Sequence, residues 1–397
     1  MNKNFLVVAV VAVLFTACNK ESIKKDVFGG YAQKGPFVLG SSVTISELDA
    51  NLNQTGKTYH TTISNNSGSF ELTDIELVSN YVQLKVDGYY FNEVAGEIFE
   101  TTTLYAVVDI KDVNSANVNV LTHLEKSRVE YLVKQEKKSF SQAKKQAQRE
   151  VLAIFGLTPS NTLSEALNLT NNGMLLAISS ILAAIPYNSE RVELMANISE
   201  DIKTDGKLDN MALGTKLINS AYAVLYSSDK IRENMETKYA ELGINVSIPD
   251  FESYIESFIN SKLYSHTKYI TYPEKGLYGN NILSDAVTSV RRGQNYSMYA
   301  KLHQEFSVGV AIHILCAEFA DFYYQYAQGP IPWRASYLGE GIGMRFESAY
   351  NMDGSCDMLI QVLGNDDYIT IEYREFRPPM SGFPTAPTKT KRLCVID

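Results

Sequence analysis

Residues 58–72 read TYHTTISNNSGSFEL, and this stretch decides how the first third of the chain folds. Thr58 to Ile63 and Ser69 to Leu72 are rich in β-branched and apolar residues. Between them, Asn65-Asn66-Ser67-Gly68 carries turn chemistry: glycine tolerates positive φ, and asparagine side chains bond to nearby backbone. Two strands and a tight connection follow. Outward from it, Ser42 to Leu48 (SVTISEL) and Tyr81 to Val86 (YVQLKV) alternate apolar with polar residues, the signature of strands with one buried and one wet face. Asp87-Gly88 reads as another turn, and Leu104 to Ile110 and Val118 to Leu121 as further strands. Short strands with turns at this spacing predict an antiparallel sandwich over residues 28–120.

The periodicity then changes. Residues 121–265 read as helices. Thr122-His123-Leu124-Glu125 has capping-box spacing, and Leu124, Val129, Leu132 and Val133 follow as an apolar face. Ser139 to Phe155 is amphipathic, with Gly156 as its stop. Met174 to Ile185 is apolar nearly all round and too short to cross a bilayer, so it reads as the central helix of a bundle. Pro249-Asp250 is a start signal for a last helix. From 266 to 397 period two returns in Tyr296–Leu302, Ser307–Cys316, Gly343–Glu347, Cys356–Leu363, Tyr368–Arg374 and Arg392–Ile396. Pro378 to Pro387, with four prolines, reads as a loop. The expected architecture is α+β and multidomain: an N-terminal antiparallel β-sandwich, a central α-helical bundle and a C-terminal β-sandwich.

Residues 1–18, MNKNFLVVAVVAVLFTAC, place Lys3 before an apolar run of secretory length, with Thr16 and Ala17 directly before Cys18. This resembles the lipobox of bacterial lipoproteins, with Phe15 where Leu or Val is usual. The resemblance implies cleavage after Ala17 and lipid on Cys18. It makes 1–17 a signal peptide and 18–27, polar and mixed in charge, a tether. With no Asp directly after the cysteine it also implies sorting to the outer membrane, with the face open. NNSGSF (65–70) resembles the D-x-x-G-x-F turn of carboxypeptidase-regulatory-like, transthyretin-type sandwiches, with Asn65 for Asp. QKGPFVLGSSVTISELD (33–49), DGYYFNEVAGE (87–97), NVNVLTHLEKSRVEYLV (117–133) and AKKQAQREVLAIFGL (143–157) resemble a family of bacterial lipoproteins. In that family a small sandwich leads into helices and a second sandwich, and no activity is implied.

The chain has 397 residues, 45% hydrophobic and 20% charged, with 36 basic against 45 acidic side chains. That balance excludes whole-chain disorder, and the net charge of −9 argues against a nucleic-acid binder. Removal of Lys3 with the leader takes the mature charge to 35 − 45, or −10.

Signatures of catalysis are absent. His60, His123, His266, His303 and His313 share no metal-ligand spacing, and no nucleophile elbow or P-loop occurs. No metal or cofactor is called for. Gly339-Glu340-Gly341-Ile342-Gly343 reads as a turn before a strand. Asp201 to Asp209 has acids and a glycine at calcium-loop positions, but Lys203 stands at position three and Ala212 at position twelve. It reads instead as a helix end at Gly206 and a new N-cap at Asp209. Cys316, Cys356 and Cys394 admit three pairings or none.

The remaining signal is aromatic. Phe322-Tyr323-Tyr324-Gln325-Tyr326 precedes Trp333, the single tryptophan, and Tyr337. Trp333, Tyr337 and Tyr324, on loops of a sandwich, are candidates for stacking on sugar rings or anchoring a protein. The function expected is a non-catalytic envelope lipoprotein, membrane-held through its lipid, that presents a surface to a glycan or an envelope protein. A structural, fimbria-like component is the alternative. A polysaccharide hydrolase ranks below both.

Overall fold

The computed structural model describes residues 22–185, 187–266, 270–302, 309–315, 322–326, 334–339, 343–347, 354–363, 367–376 and 389–397. Strands β1 (Ile23–Gln33), β2 (Ser42–Leu48), β3 (Gln54–Thr62), β4 (Ser69–Leu77), β5 (Tyr81–Asn92), β6 (Glu97–Asp109) and β7 (Val118–Asn119) open the chain. They form a four-stranded sheet, β3-β2-β5-β6, and a three-stranded sheet, β4-β1-β7. Their inner faces meet in a core that includes Phe28, Phe37, Ile45, Phe70, Leu84, Tyr90 and Leu104. β5 alternates half-buried and buried from Tyr81 to Val86, as its sequence requires.

Four sequence expectations are corrected in this region. The expected tether residues 23–27 are already strand: Ile23 pairs with Leu77 and Val27 with Thr73, because β4 offers them a full-length partner. Asp87-Gly88 is not a turn. β5 runs through it, with Asp87 opposite Thr103 and Gly88 opposite Thr102. The glycine is needed there because a Cβ would fall 2.5 Å from that of Ser41. Val118 to Leu121 is not one strand, since β7 stops at Asn119 and helix begins at Val120. Nor is the sandwich wholly antiparallel, because β1 and β7 pair in parallel, Ala32 opposite Val118. The 65–68 turn is as expected: Gly68 has φ of +85°, and Asn65 Oδ1 accepts from Ser67 N at 2.9 Å.

Seven helices follow: α1 (Val120–Lys134), α2 (Phe140–Ile154), α3 (Gly173–Ala183), α4 (Asn188–Asp201), α5 (Met211–Tyr226), α6 (Ser228–Glu241) and α7 (Glu252–Ser261). The capping box of α1 exists, but Asn119 is its cap and Thr122 is the third residue within it. Asn119 Oδ1 accepts from Thr122 N at 3.0 Å, while Asn119 N donates to Thr122 Oγ1 at 2.9 Å. Glu125 is thereby freed for the interior. Every residue of α3 is buried, as a central helix demands. Among the described residues no helix is long and apolar enough to cross a membrane.

The last third contributes β8 (Ile270–Thr271), β9 (Lys275–Gly276), β10 (Gly279–Asn280), β11 (Ser289–Arg291), β12 (Asn295–Leu302), β13 (Gly309–Leu315), β14 (Phe322–Tyr326), β15 (Arg334–Gly339), β16 (Gly343–Glu347), β17 (Gly354–Val362), β18 (Tyr368–Phe376) and β19 (Lys389–Ile396). Their main sheets are β11-β19-β18-β13-β16-β15 and β14-β17-β12-β8. Met298, Met358, Ile360, Ile371 and Leu393 from these strands join the same apolar cluster as α3 and α7.

Candidate functional site

Charged side chains are buried where the first sandwich meets the helices. Lys34 follows β1, Tyr90 and Glu93 lie at the end of β5, Glu100 is on β6 and Arg191 is on α4. All are at most 8% exposed. Burying unpaired charge costs several kcal/mol, so such groups survive only where partners meet them. Arg191 supplies most of the pairing. Its Nη2 donates to Ile185 O at 2.6 Å, and its Nη1 donates to the Tyr90 hydroxyl at 2.8 Å and to Glu100. Tyr90 in turn donates to Glu100 Oε2 at 2.9 Å.

The Lys34 ammonium sits 5.0 Å from the centre of the Tyr90 ring. Burial, aided by the Arg191 charge and opposed by Glu93 and Glu100, brings its pKa down to about 7. Burial pushes the Tyr90 phenol well above its usual range. Glu93 is held through its backbone, whose carbonyl accepts from Asn234 Nδ2 of α6 at 3.0 Å.

Directly outside this buried layer the surface turns apolar and aromatic. Tyr89, next to Tyr90, is 53% exposed, Tyr187 is 57% exposed and Leu39 is 63% exposed. The backbone brings them together. Val38 N donates to Tyr89 O at 3.0 Å, Tyr89 stands opposite Thr101, and Thr101 O accepts from Asn188 Nδ2 at 2.9 Å. Tyr89 thus lies on a strand whose partner, at Thr101, is bonded by Asn188, the residue after Tyr187. Sequence reasoning missed all of them. Lys34, Tyr89, Tyr90 and Glu93 lay inside the stretches 33–49 and 87–97 that carried the family resemblance, which was the available signal.

Two further ionic groups brace the helices. Lys144 of α2 meets Glu125 at 2.9 Å and Glu165 at 3.0 Å, and Ser164 Oγ donates to Glu125. Burial pushes the Glu125 carboxyl up, against the pull of Lys144. Arg128 of α1 donates to Glu150 at 2.7 Å and to the carbonyls of Lys203 and Thr204 at 3.1 and 2.7 Å. Those carbonyls belong to the calcium-like loop, so Arg128 ties that loop to α1. Asp201 Oδ2 accepts from Asp209 N at 2.7 Å, which closes the loop internally. The N-cap of α5 is Asn210, not Asp209, because only the Asn210 side chain reaches Ala212 N.

The aromatic candidates are placed differently from expectation. Trp333 lies outside the described residues, as do Cys18, Ala17 and Cys316. Tyr324 and Tyr337 are not on loops. Tyr324 is in β14, opposite Ile360, which is fully buried, and Tyr337 is in β15, opposite Met344. Each of these strands ends its sheet among the described residues. FYYQY forms strand β14, a reading that its position before the proline-containing 330–332 segment had masked. Cys394 is a free, exposed thiol in β19. No group of three or more His, Cys, Asp or Glu among the described residues is placed to hold a metal ion.

No family model matches the chain, and no curated protein matches it. Solved structures give partial likenesses. A cohesin module from a Clostridium perfringens family 33 glycoside hydrolase is 10% identical over 28% of this chain and 90% of its own, with TM-score 0.20. AvmM, described as catalysing macrocyclization in alchivemycin A biosynthesis, is 9% identical over 28% of this chain and 84% of its own, with TM-score 0.19. The C-terminal domain of the Streptococcus agalactiae AgI/II polypeptide BspA is 9% identical over 30% of this chain and 48% of its own, with TM-score 0.21. At that level of superposition nothing of their function passes to this chain.

Proposed function

We propose that the chain is a non-catalytic lipoprotein of the outer membrane that presents a rigid surface to a glycan. The observation that carries this reading is the exposure of Tyr89, Tyr187 and Leu39 on segments that are tied to one another through Val38, Thr101 and Asn188. Tyrosine rings stack on the C–H faces of sugars and offer a hydroxyl to their polar edges, and a bed that is already ordered lowers the entropy lost on binding. Arg191, Glu100 and Tyr90 are pinned by one another inside the protein, an arrangement suited to bracing a surface.

The lipobox at Cys18 supplies the anchor. With strand starting at Ile23, four residues separate Cys18 from the fold, and the five Cα steps span about 17 Å when extended. The sandwich would therefore stand close to the bilayer. Labelling with a radioactive or clickable palmitate should mark the native chain and not Cys18→Ser, and Cys18→Ser should leave the membrane fraction. A glycan array probed with the mature chain tests the surface. The reading fails if no glycan is retained, or if Tyr89→Ala and Tyr187→Ala bind as well as the parent.

A further inference from the structure

The four-stranded sheet of the first sandwich turns one face inward and one outward. Val43, Ile45, Leu84, Val86 and Leu104 enter the core, so the residues between them point the other way. The pairing register sets these outward residues in rows across the strands. In one row Thr44 stands opposite both His60 and Lys85, and Lys85 opposite Tyr105. In the next, Ser42 stands opposite both Thr62 and Asp87, and Asp87 opposite Thr103. None of these residues is buried. Tyr89 continues the same face, because Lys85, Asp87 and Tyr89 alternate along β5. Four steps of strand put Lys85 about 13 Å from Tyr89, a span that a short oligosaccharide covers. Helix α1 borders the face: His123 stacks on Tyr105 with 5.8 Å between ring centres, and Lys126 Nζ lies 5.5 Å from the centre of the same ring.

The other charges of this face are engaged. Asp87 Oδ1 accepts from the Thr103 hydroxyl, and Lys126 pairs with Glu130 at 2.8 Å. Thr44 Oγ1 and His60 Nδ1 are bonded at 3.2 Å. Lys85, half-buried at the centre, makes no hydrogen bond or ion pair among the described residues. We propose that this face binds an acidic glycan, whose carboxylate or sulfate group pairs with Lys85 while another sugar ring stacks on Tyr89. The proposal rests on the glycan-presenting reading above and names the class of glycan. The hydroxyls of Thr44, Ser42 and Thr62 offer donors and acceptors to the sugar hydroxyls, and an ionised partner roughly doubles the strength of the Lys85 contact. A neutral glycan would leave the ammonium unanswered. A protein partner fits less well, because the two rows contain no aliphatic side chain from which to build the apolar centre of an interface.

A glycan array carrying uronate-containing, sulfated and neutral oligosaccharides, probed with the mature chain, tests this, followed by isothermal titration with the acidic oligosaccharide it retains. Retention is expected on acidic sugars, and which acidic group is retained distinguishes carboxylate from sulfate. Binding should weaken with added salt, which screens an exposed pair. Lys85→Gln should bind about tenfold more weakly with an unchanged melting temperature, and Lys85→Arg should bind nearly as the parent does. Retention of neutral sugars as well as or better than acidic ones overturns the inference and leaves the glycan reading standing. So does an acidic sugar that Lys85→Gln binds as tightly as the parent. An array that retains nothing overturns both.

Discussion

Arg191 of α4 and Glu100 of β6 stand 91 residues apart in sequence and form a buried ion pair, with the Tyr90 hydroxyl bonded to both. One guanidinium thus links the first sandwich to the helices. Removing it strands a carboxylate in the interior. Arg191→Met should lower the unfolding free energy by about 3–5 kcal/mol, read from denaturant midpoints. The double variant Arg191→Met/Glu100→Leu should recover part of that loss. A single-variant loss under about 1 kcal/mol would place the pair among surface ion pairs instead.

Lys144 holds two carboxylates, Glu125 and Glu165, within 3.0 Å while itself 1% exposed. Lys144→Met leaves both acids facing each other without a cation, and a loss of about 3–5 kcal/mol is expected. Glu165→Gln should cost less, because Glu125 still pairs with Lys144. Urea titrations of the three proteins would order them.

His123 stacks on Tyr105 at 5.8 Å, and burial, with help from Lys126, lowers its pKa to about 4. The folded chain therefore keeps it neutral while the unfolded chain protonates it near 6.5. Between those values the unfolded state binds more protons, so stability falls as pH drops from 6.5 to 4 and levels off below. The side chain is half-buried, which limits the effect to about 1–2 kcal/mol. His123→Gln should flatten the stability curve across that window. An unchanged slope in melting temperature would show that other groups set it.

Tyr89→Ala and Tyr187→Ala should each weaken binding to any retained glycan about tenfold, near 1.4 kcal/mol, with melting temperature within a degree or two of the parent. Tyr324→Ala should act differently. Within strand β14 it pairs with Ile360, and a fall in stability without a selective loss of glycan is expected. Isothermal titration and thermal unfolding on the same samples separate the two behaviours.

Strand and turn readings succeeded where local chemistry alone decides the outcome. YVQLKV buries every second residue because one face of a sheet must, SVTISEL alternates only over Ser42–Ile45 before Ser46, Glu47 and Leu48 are all buried, and NNSG turns because Gly68 accepts positive φ. Helix α3 was readable for the same reason: an all-apolar stretch has no wet face to offer. The errors arose where a distant partner decides. Asp87-Gly88 looks like a turn until β6 pairs straight across it. Residues 23–27 look like a tether until β4 lies beside them. Lysine, arginine and glutamate ordinarily mark solvent, so nothing local in Lys34, Glu100 or Arg191 announces that α4 will bury them together.

The parallel pairing of Ala32 with Val118 and Gln33 with Asn119 sets a limit on how the chain can be divided. The residues that finish the first sandwich are the same ones that start α1, for Asn119 is both the last residue of β7 and the cap of the helix. During synthesis, β1 must wait for more than eighty further residues before its second neighbour arrives. A protease or a cloning boundary placed just before residue 118 would release a sandwich with one flank of β1 bare, prone to recruit a stray strand from another molecule.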